Sequence, residues 1–309
     1  SIIDSGGNSV ALTLPSPGSS GSLGANKDLV VDTTLPTIAA IETSAFSWGA
    51  VLNATEDNSN GTVTVTTVGV EDGQTLTLVL NGANYTGSVS SNSVTVTITD
   101  TGLQALTDGQ SYTMTANVSD AAGNAAAEVT SSAFTVNSSL PTIAAIETGA
   151  FSWGAVLNAT EDNANGTVSI TTTGVDNGQT VTLVLNGANY TNTITDNATT
   201  VTITAAGLQA LTDGQSYTMT ANVSDAAGNA AAEVTSSSFS VDTTLPSISA
   251  IATGAFSWGS SLNATEDNAN GTVTVSTTGV EDGQTVTITL NSANYTNTIT
   301  DNATTVTIT

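Results

Sequence analysis

The sequence predicts an all-β protein: Greek-key β-sandwiches joined in tandem as an extended array. Two observations carry most of this. The segment SAFSWGAVLNATEDN around Trp48 returns as GAFSWGAVLNATEDN around Trp153 and as GAFSWGSSLNATEDN around Trp258, at intervals of 105 residues. That period exceeds those of solenoid and propeller units and matches a whole small domain with its own core. Within each period, β-branched residues alternate with period two between turn signals about every ten residues, the pattern of short, half-buried strands.

The boundaries fall at proline-bearing connectors, Asp32-Thr-Thr-Leu-Pro36, Asn137-Ser-Ser-Leu-Pro141 and Asp242-Thr-Thr-Leu-Pro246. Proline fixes its own φ and biases the preceding residue toward extended geometry, so these linkers are expected to be short and stiff. The expected domains are residues 32–136, 137–241 and 242–309. The third stops at Thr309, the position of Thr99 and Thr204, and so lacks its last third. Residues 1–31 fit the repeat poorly. Their extended stretches, Ser9 to Leu14 and Asp28 to Val31, suggest either the closing hairpin of a divergent preceding domain or an N-terminal extension. The chain opens on Ser1 without an initiator methionine or a signal peptide, as expected of a fragment.

In the first repeat the expected strands are Thr37 to Ile41 (A), its continuation Ala50 to Thr55, Gly61 to Val70 (B), Gln74 to Leu80 (C), Tyr85 to Val89 (C′) and Ser93 to Thr99 (E). Gln110 to Ser119 (F) and Ala125 to Val136 (G) flank the turn Asp120-Ala-Ala-Gly-Asn124, and Gly102 to Leu106 reads as a helical turn. About seven short strands in about 100 residues indicate an immunoglobulin-like sandwich of two antiparallel sheets. On B and E, Val and Ile should face inward and Thr outward. Trp48 reads first as a core plug and second as a ligand platform, and Tyr85 and Tyr112 as packing elements with their hydroxyls at the rim.

Composition narrows the function. The chain carries 26 acidic residues against one Lys, Lys27, with no Arg, His or Cys, for a formal charge of −25. Such a chain cannot neutralise a phosphate backbone, so nucleic acid is a poor partner, and it should attract cations. Disulfide and thiolate chemistry are excluded, and the usual neutral-pH proton shuttle is missing. No run of 18 apolar residues occurs, so no helical membrane insertion is expected. Adjacent acids such as Glu56-Asp57 would point to opposite faces if extended, and no nucleophile–base set or phosphate loop is evident, so no enzyme is expected.

The acids avoid strand centres. With the strands in Greek-key order, Asp32, Glu71, Asp72 and Asp120 fall at one end of repeat 1, and Glu56, Asp57, Asp100 and Asp108 at the other. The corresponding candidates downstream are Asn137, Asp176, Asp225, Glu161, Asp162 and Asp213, then Asp242, Glu281 and Asp282. Two like charges about 4 Å apart repel by roughly 1 kcal/mol even in bulk water, so converging acids call for a counter-ion. Ca²⁺ suits loops of Asp, Asn, Gly and carbonyl oxygens, whereas the lack of His and Cys argues against Zn²⁺ and copper. The alternative is that acidic turns merely keep the surface soluble. Asn137 and the pair Asp176-Asn177 stand where the other repeats have Asp and Glu-Asp, which predicts a weaker junction between the first two repeats.

The motifs LPTIAAI, LNATEDN, GVEDGQT and SYTMTANVSDAAGN resemble the bacterial Ig-like extender repeats of giant type I secreted, repeats-in-toxin adhesins, including those of ice-binding and biofilm adhesins. The resemblance covers residues 32–309. It implies an extracellular, outer-membrane-anchored surface protein whose array projects a ligand-binding tip, with the adhesin's ligand contacted by other domains. It also implies that calcium stiffens the joints between neighbouring repeats, with Asp32 and Asp242, Asp120 and Asp225, and Asp72 and Asp282 as joint ligands. Two other functions stay open: a filament subunit self-associating by strand donation, and a glycan- or ice-binding module using the outward rows Thr62, Thr64, Thr66 and Thr95, Thr97, Thr99.

Overall fold

The computed structural model describes residues 3–9, 15–20, 22–26 and 30–309. Most of the two extended stretches expected in residues 9–14 and 28–31 lies outside the described residues. The chain divides into two compact units, Ser1–Ser139 and Leu140–Thr309. The first contains one hydrophobic core and the second contains two.

In the first unit a helical turn, α1 (Leu23–Asn26), precedes the repeat. The repeat then runs β1 (Thr37–Ile38), β2 (Val51–Asn53), β3 (Gly61–Val68), β4 (Thr75–Leu80), β5 (Ala83–Ser88), β6 (Ser93–Ile98), α2 (Asp100–Gln104), β7 (Ser111–Tyr112), β8 (Met114–Asn117), β9 (Val129–Thr130) and β10 (Phe134–Asn137). One sheet has the order β1-β3-β6, the facing one β5-β4-β8-β9, and a short sheet β2-β10-β7 holds the remaining halves of the last two strands. This is an all-β, immunoglobulin-like sandwich.

Register places the side chains as the alternation requires. On β3 and β6, Val63 pairs with Val96 and Val65 with Val94, all buried, while Thr62 pairs with Thr97 and Thr64 with Thr95 on the outer face. Each buried Val or Leu contributes about 1.5–3 kcal/mol by leaving water, so these interior rows supply much of the stability. Tyr112 lies near the start of the penultimate strand, and its hydroxyl accepts the Thr107 N–H at 2.9 Å, the tyrosine corner of such sandwiches.

Three strand expectations need correction. Val51–Asn53 is not a continuation of the first strand within its own sheet; it pairs in parallel with β10. A 3₁₀ turn at Thr43–Ala45, followed by Gly49 at φ +72°, redirects the chain between the two. The last two strands are each broken, at Thr113 and at Ser131–Ala133. The buried Ser131 hydroxyl accepts the Met114 N–H at 2.9 Å and donates to Ser132 O, which replaces one rung of the ladder. The strand expected to begin at Tyr85 begins at Ala83, because Asn81-Gly82 closes a two-residue hairpin at φ +48° and +78°.

The tryptophan is a core plug. Trp48 stacks on Phe46 at 5.4 Å and meets Phe134 edge-on at 5.3 Å. Gly61 makes room for it, since a Cβ there would stand 2.5 Å from Trp48 Cζ3. Among the described residues the buried Nε1 atoms of Trp48 and Trp153 have no hydrogen-bond partner. That cost, on the order of 1–3 kcal/mol, is offset by burial of the indole ring.

The second unit repeats this plan in β11 (Thr142–Ile143), β12 (Val156–Asn158), β13 (Gly166–Thr173), β14 (Thr180–Leu185), β15 (Ala188–Thr193), β16 (Ala198–Ile203), α3 (Ala205–Gln209), β17 (Ser216–Tyr217), β18 (Met219–Asn222), β19 (Val234–Thr235) and β20 (Phe239–Asp242). It continues with β21 (Ser247–Ile248), β22 (Gly271–Thr278), β23 (Thr285–Leu290), β24 (Ala293–Thr298) and β25 (Ala303–Ile308). The last five strands show what the two missing strand positions contribute. Leu80 and Leu185, paired with Met114 of β8 and Met219 of β18, are each 1% exposed, whereas the equivalent Leu290 is 49% exposed.

Candidate functional site at the ends of the repeats

Most acids singled out in the sequence lie in turns at the ends of the sandwiches, and for Asp32, Glu56, Glu71, Asp72, Asp108 and Asp120 a backbone N–H fixes the direction. At one end of repeat 1, Asp120 is buried at 3% exposure. Its carboxylate accepts Asn124 N at 2.7 Å and Asn124 Nδ2 at 2.8 Å, which closes the turn and holds its pKa below the usual carboxylate range. Asn124 Nδ2 also reaches the carbonyl of Asp32 at 3.2 Å, and Glu71 accepts the N–H of Ala121 at 2.8 Å. The Glu71 carboxylate and the Asp32 backbone carbonyl therefore both reach the Asp120 turn, while the Asp32 carboxylate accepts Thr34 N at 3.0 Å. Asp72 turns away and accepts Ser91 N at 2.6 Å.

Repeat 2 keeps these directions with different residues. Asp176 accepts Ala226 N at 2.9 Å in the role of Glu71, and Asn177 accepts Asp196 N at 2.8 Å in the role of Asp72. Asp225 holds both Asn229 nitrogens at 2.8 Å. In repeat 3, Asp282 accepts Asp301 N at 2.8 Å. Asn137 and Asp242 each end a strand, paired with Asn53 and Asn158.

At the opposite ends, Glu56 and Glu161 have a structural task. Asn53 Oδ1 accepts the N–H groups of Thr55 and Glu56 at 2.9 and 3.0 Å, and Glu56 reaches back to Asn53 N at 3.0 Å. Asn158 and Glu161 repeat the arrangement. This is a reciprocal capping box, and N-x-x-E was its available signal. The loop is a capped helical turn, so the extended geometry considered for Glu56-Asp57 does not occur. Asp57 and Asp162 accept Asn58 and Asn163 Nδ2 at 2.9 Å, and desolvation raises the pKa of Asp57.

Asp108 and Asp213 face the linkers. Asp108 accepts Ser138 N at 2.7 Å, Ser138 Oγ at 3.4 Å and Ser139 Oγ at 2.6 Å. Asp213 accepts Thr243 N at 2.7 Å, Thr243 Oγ1 at 3.2 Å and Thr244 Oγ1 at 2.6 Å. The linker hydroxyl at Ser139 or Thr244, then the backbone N–H before it, holds each carboxyl below its ordinary pKa.

Within the second unit, where the second repeat leads into the third, an open cleft of about 440 Å³ lies between the Asn158–Glu161 turn and Asp242, Thr244, Leu245, Pro246, Gly279 and Glu281. It brings Glu161, Asp242 and Glu281 to one place. Their oxygens, with the Asn158 amide and nearby carbonyls, are hard donors of the kind Ca²⁺ takes. Among the described residues no cluster of three or more acids is gathered tightly enough to hold a metal ion. Carboxylates alone therefore do not complete a site, and carbonyl, amide or water oxygens would have to supply most of its ligands.

One feature escaped the sequence reading. Asp4 accepts Asn8 N and Nδ2 at 2.9 Å, Asp4 N bonds Asn8 O at 3.0 Å, and Ile3 bridges Ser9. These are the contacts of Asp120 with Asn124 and of the bridge between Ser119 and Ala125. The shared D-x-x-G-N spacing was the signal.

No protein-family profile matches the chain. Among curated proteins it is 34% identical to chitinase A1 of Niallia circulans over 227 residues, 71% of this chain. The chain spans only 28% of that enzyme's length. Among solved structures it is similar to a Ca²⁺-stabilised adhesin with which an Antarctic bacterium reaches out and binds ice: 29% identity, 91% of this chain and 67% of that one, TM-score 0.45. A 1.5-MDa bacterial ice-binding adhesin matches at 26% identity over 90% of this chain and 88% of that one, TM-score 0.42. A bacterial immunoglobulin-like domain of the M. primoryensis ice-binding adhesin matches at 31% identity over 33% of this chain and 96% of that domain, TM-score 0.25. The solved structures similar to this chain are thus extender domains of bacterial ice-binding adhesins and immunoglobulin-like repeats of large adhesins.

Proposed function

We propose that this chain is part of the extender of a bacterial cell-surface adhesin, a spacer whose joints calcium stiffens and whose ligand is contacted by other domains. The observation that carries the reading is the cleft in the second unit, where acids from the end of one repeat and the start of the next face a shared space while the strand centres stay free of charge. Asp242 and Glu281 on one side and Glu161 on the other would hold the ion. At the start of repeat 1 that task falls to Asp32, Glu71 and Asp120, and in repeat 2 Asp176 and Asp225 hold the corresponding turns. Bound calcium would supply two positive charges and a fixed coordination shell, removing the mutual repulsion of these acids. Glu56 and Asp57, with Glu161 and Asp162 in repeat 2, add charge beside the outgoing linkers, and Asp72 and Asp282 add it beside the incoming ones. The spacer has no catalytic task. Its setting is extracellular, on the outer surface of a type I secreting bacterium engaged in adhesion or biofilm formation, and its partners are the neighbouring repeats.

The test is calorimetric titration of the full chain with CaCl₂ and with MgCl₂, repeated on Glu281→Gln and Asp242→Asn. The reading expects calcium binding that both substitutions weaken, together with a higher Tm at saturating calcium, since a ligand that binds only the folded state stabilises it. No heat and no change in Tm would refute it.

A further inference from the structure

Asp108 and Asp213 are candidate calcium ligands by sequence, but their geometry points elsewhere. Each carboxylate accepts three hydrogen bonds from the second and third linker residues, Ser138 and Ser139 or Thr243 and Thr244, with one oxygen taking both donors of the former and the other oxygen the hydroxyl of the latter. About three of its roughly four lone-pair directions are thus already occupied by the chain itself. The linkers differ in sequence, Asn-Ser-Ser in one and Asp-Thr-Thr in the other, yet both keep a hydroxyl at both positions. The carboxylates are also held still. Gly109 N bonds Val136 O and Gly214 N bonds Val241 O, each at 2.9 Å, which fastens the turn to the strand residue just before the linker. At φ +73° and +74° these positions favour glycine.

We infer that Asp108 and Asp213 are metal-independent clamps that fix the second and third linker residues to the repeat they leave, so that the path of the chain out of that repeat is set partly without an ion. This deepens the extender reading and rests on it. Hydrogen bonds to an ionised acceptor are short and strong, and the 2.6 Å hydroxyl contacts belong to that class. Asp213 is then a positioning residue and Glu161, Asp242 and Glu281 are the ion's residues, so the joint has two separable locks.

The test uses the full chain. It contains no cysteine, so Thr200→Cys and Thr305→Cys, both on exposed strand faces, give one pair of spin labels across the junction in the second unit. Distance distributions are measured by pulsed electron paramagnetic resonance in chelator and in calcium. In chelator, Asp213→Ala should broaden the distribution about twofold as the charge-assisted bonds are lost. Asp213→Asn should broaden it less, and Thr244→Val should do so without touching the acid. Circular dichroism confirms the fold, and if Asp213→Ala fails to fold, Thr244→Val carries the test. Distributions for Asp213→Ala and Thr244→Val that superimpose on the parent in chelator would overturn the clamp. A parent distribution that calcium does not narrow would overturn the calcium reading and leave the clamp standing.

Discussion

Substituting Gly166 by Ala tests the packing logic most sharply, because the chain contains its own control. A Cβ at Gly166 would lie 2.5 Å from Trp153 Cζ3 and 2.8 Å from Cε3. The indole cannot yield easily, being stacked on Phe151 at 5.4 Å and wedged against Phe239 at 5.3 Å. Overpacking of this kind costs about 1–3 kcal/mol. At roughly 4–8 °C per kcal/mol for a domain this size, a loss of about 2 kcal/mol lowers the Tm of repeat 2 by roughly 8–16 °C. Gly271→Ala makes a tighter clash on paper, 2.3 Å from Trp258 Cζ3. Among the described residues, however, Trp258 stacks only on Phe256 and is partly exposed, so the ring can move aside. Differential scanning calorimetry of the full chain separates the transitions. Equal losses for both variants, or none for Gly166→Ala, would refute the view that the ring is pinned by the aromatic of the last strand.

Asn158→Ala removes the acceptor for Thr160 N and Glu161 N and should destabilise repeat 2 by about 1 kcal/mol, read by denaturant unfolding. Acid should loosen the linkers: the folded pKa values of Asp108 and Asp213 are depressed, so their contribution is present above the unfolded carboxylate value near about 4 and is lost as pH falls through the folded values. Amide exchange at Ser138 and Thr243, followed by NMR below that pH, should report the loss. Asp57 has the opposite sign. Its folded pKa is raised by desolvation, so stability present below the unfolded carboxylate value is lost as pH rises through the folded value, and Asp57→Asn should raise the Tm at pH 7 and leave it unchanged at pH 3.

The sequence made the sandwich legible because its two periods are redundant. The 105-residue repeat set the domain scale, and the Val and Thr alternation in GTVTVTTV set which face is buried. It did not show that the last two strands switch partners, since that depends on a buried Ser131 hydroxyl standing in for a ladder bond over 17 residues of sequence. The ends of the repeats were legible as places: the Asp120 turn is touched by the Glu71 carboxylate and by the backbone carbonyl of Asp32. Their individual directions were not, because each is chosen by a nearby N–H or hydroxyl. Asp72 swings to Ser91, Glu56 folds back on Asn53, and Asp108 seizes the linker. Spacing reports which end an acid occupies, and hydrogen-bond geometry decides what it does there.

Small-angle X-ray scattering of the full chain, first in chelator and then through a calcium titration, is the most direct test of a calcium-stiffened spacer. The account predicts that calcium lengthens the maximum dimension and sharpens the profile toward that of a stiff rod, with magnesium much less effective. A profile that does not change between chelator and saturating calcium would contradict it.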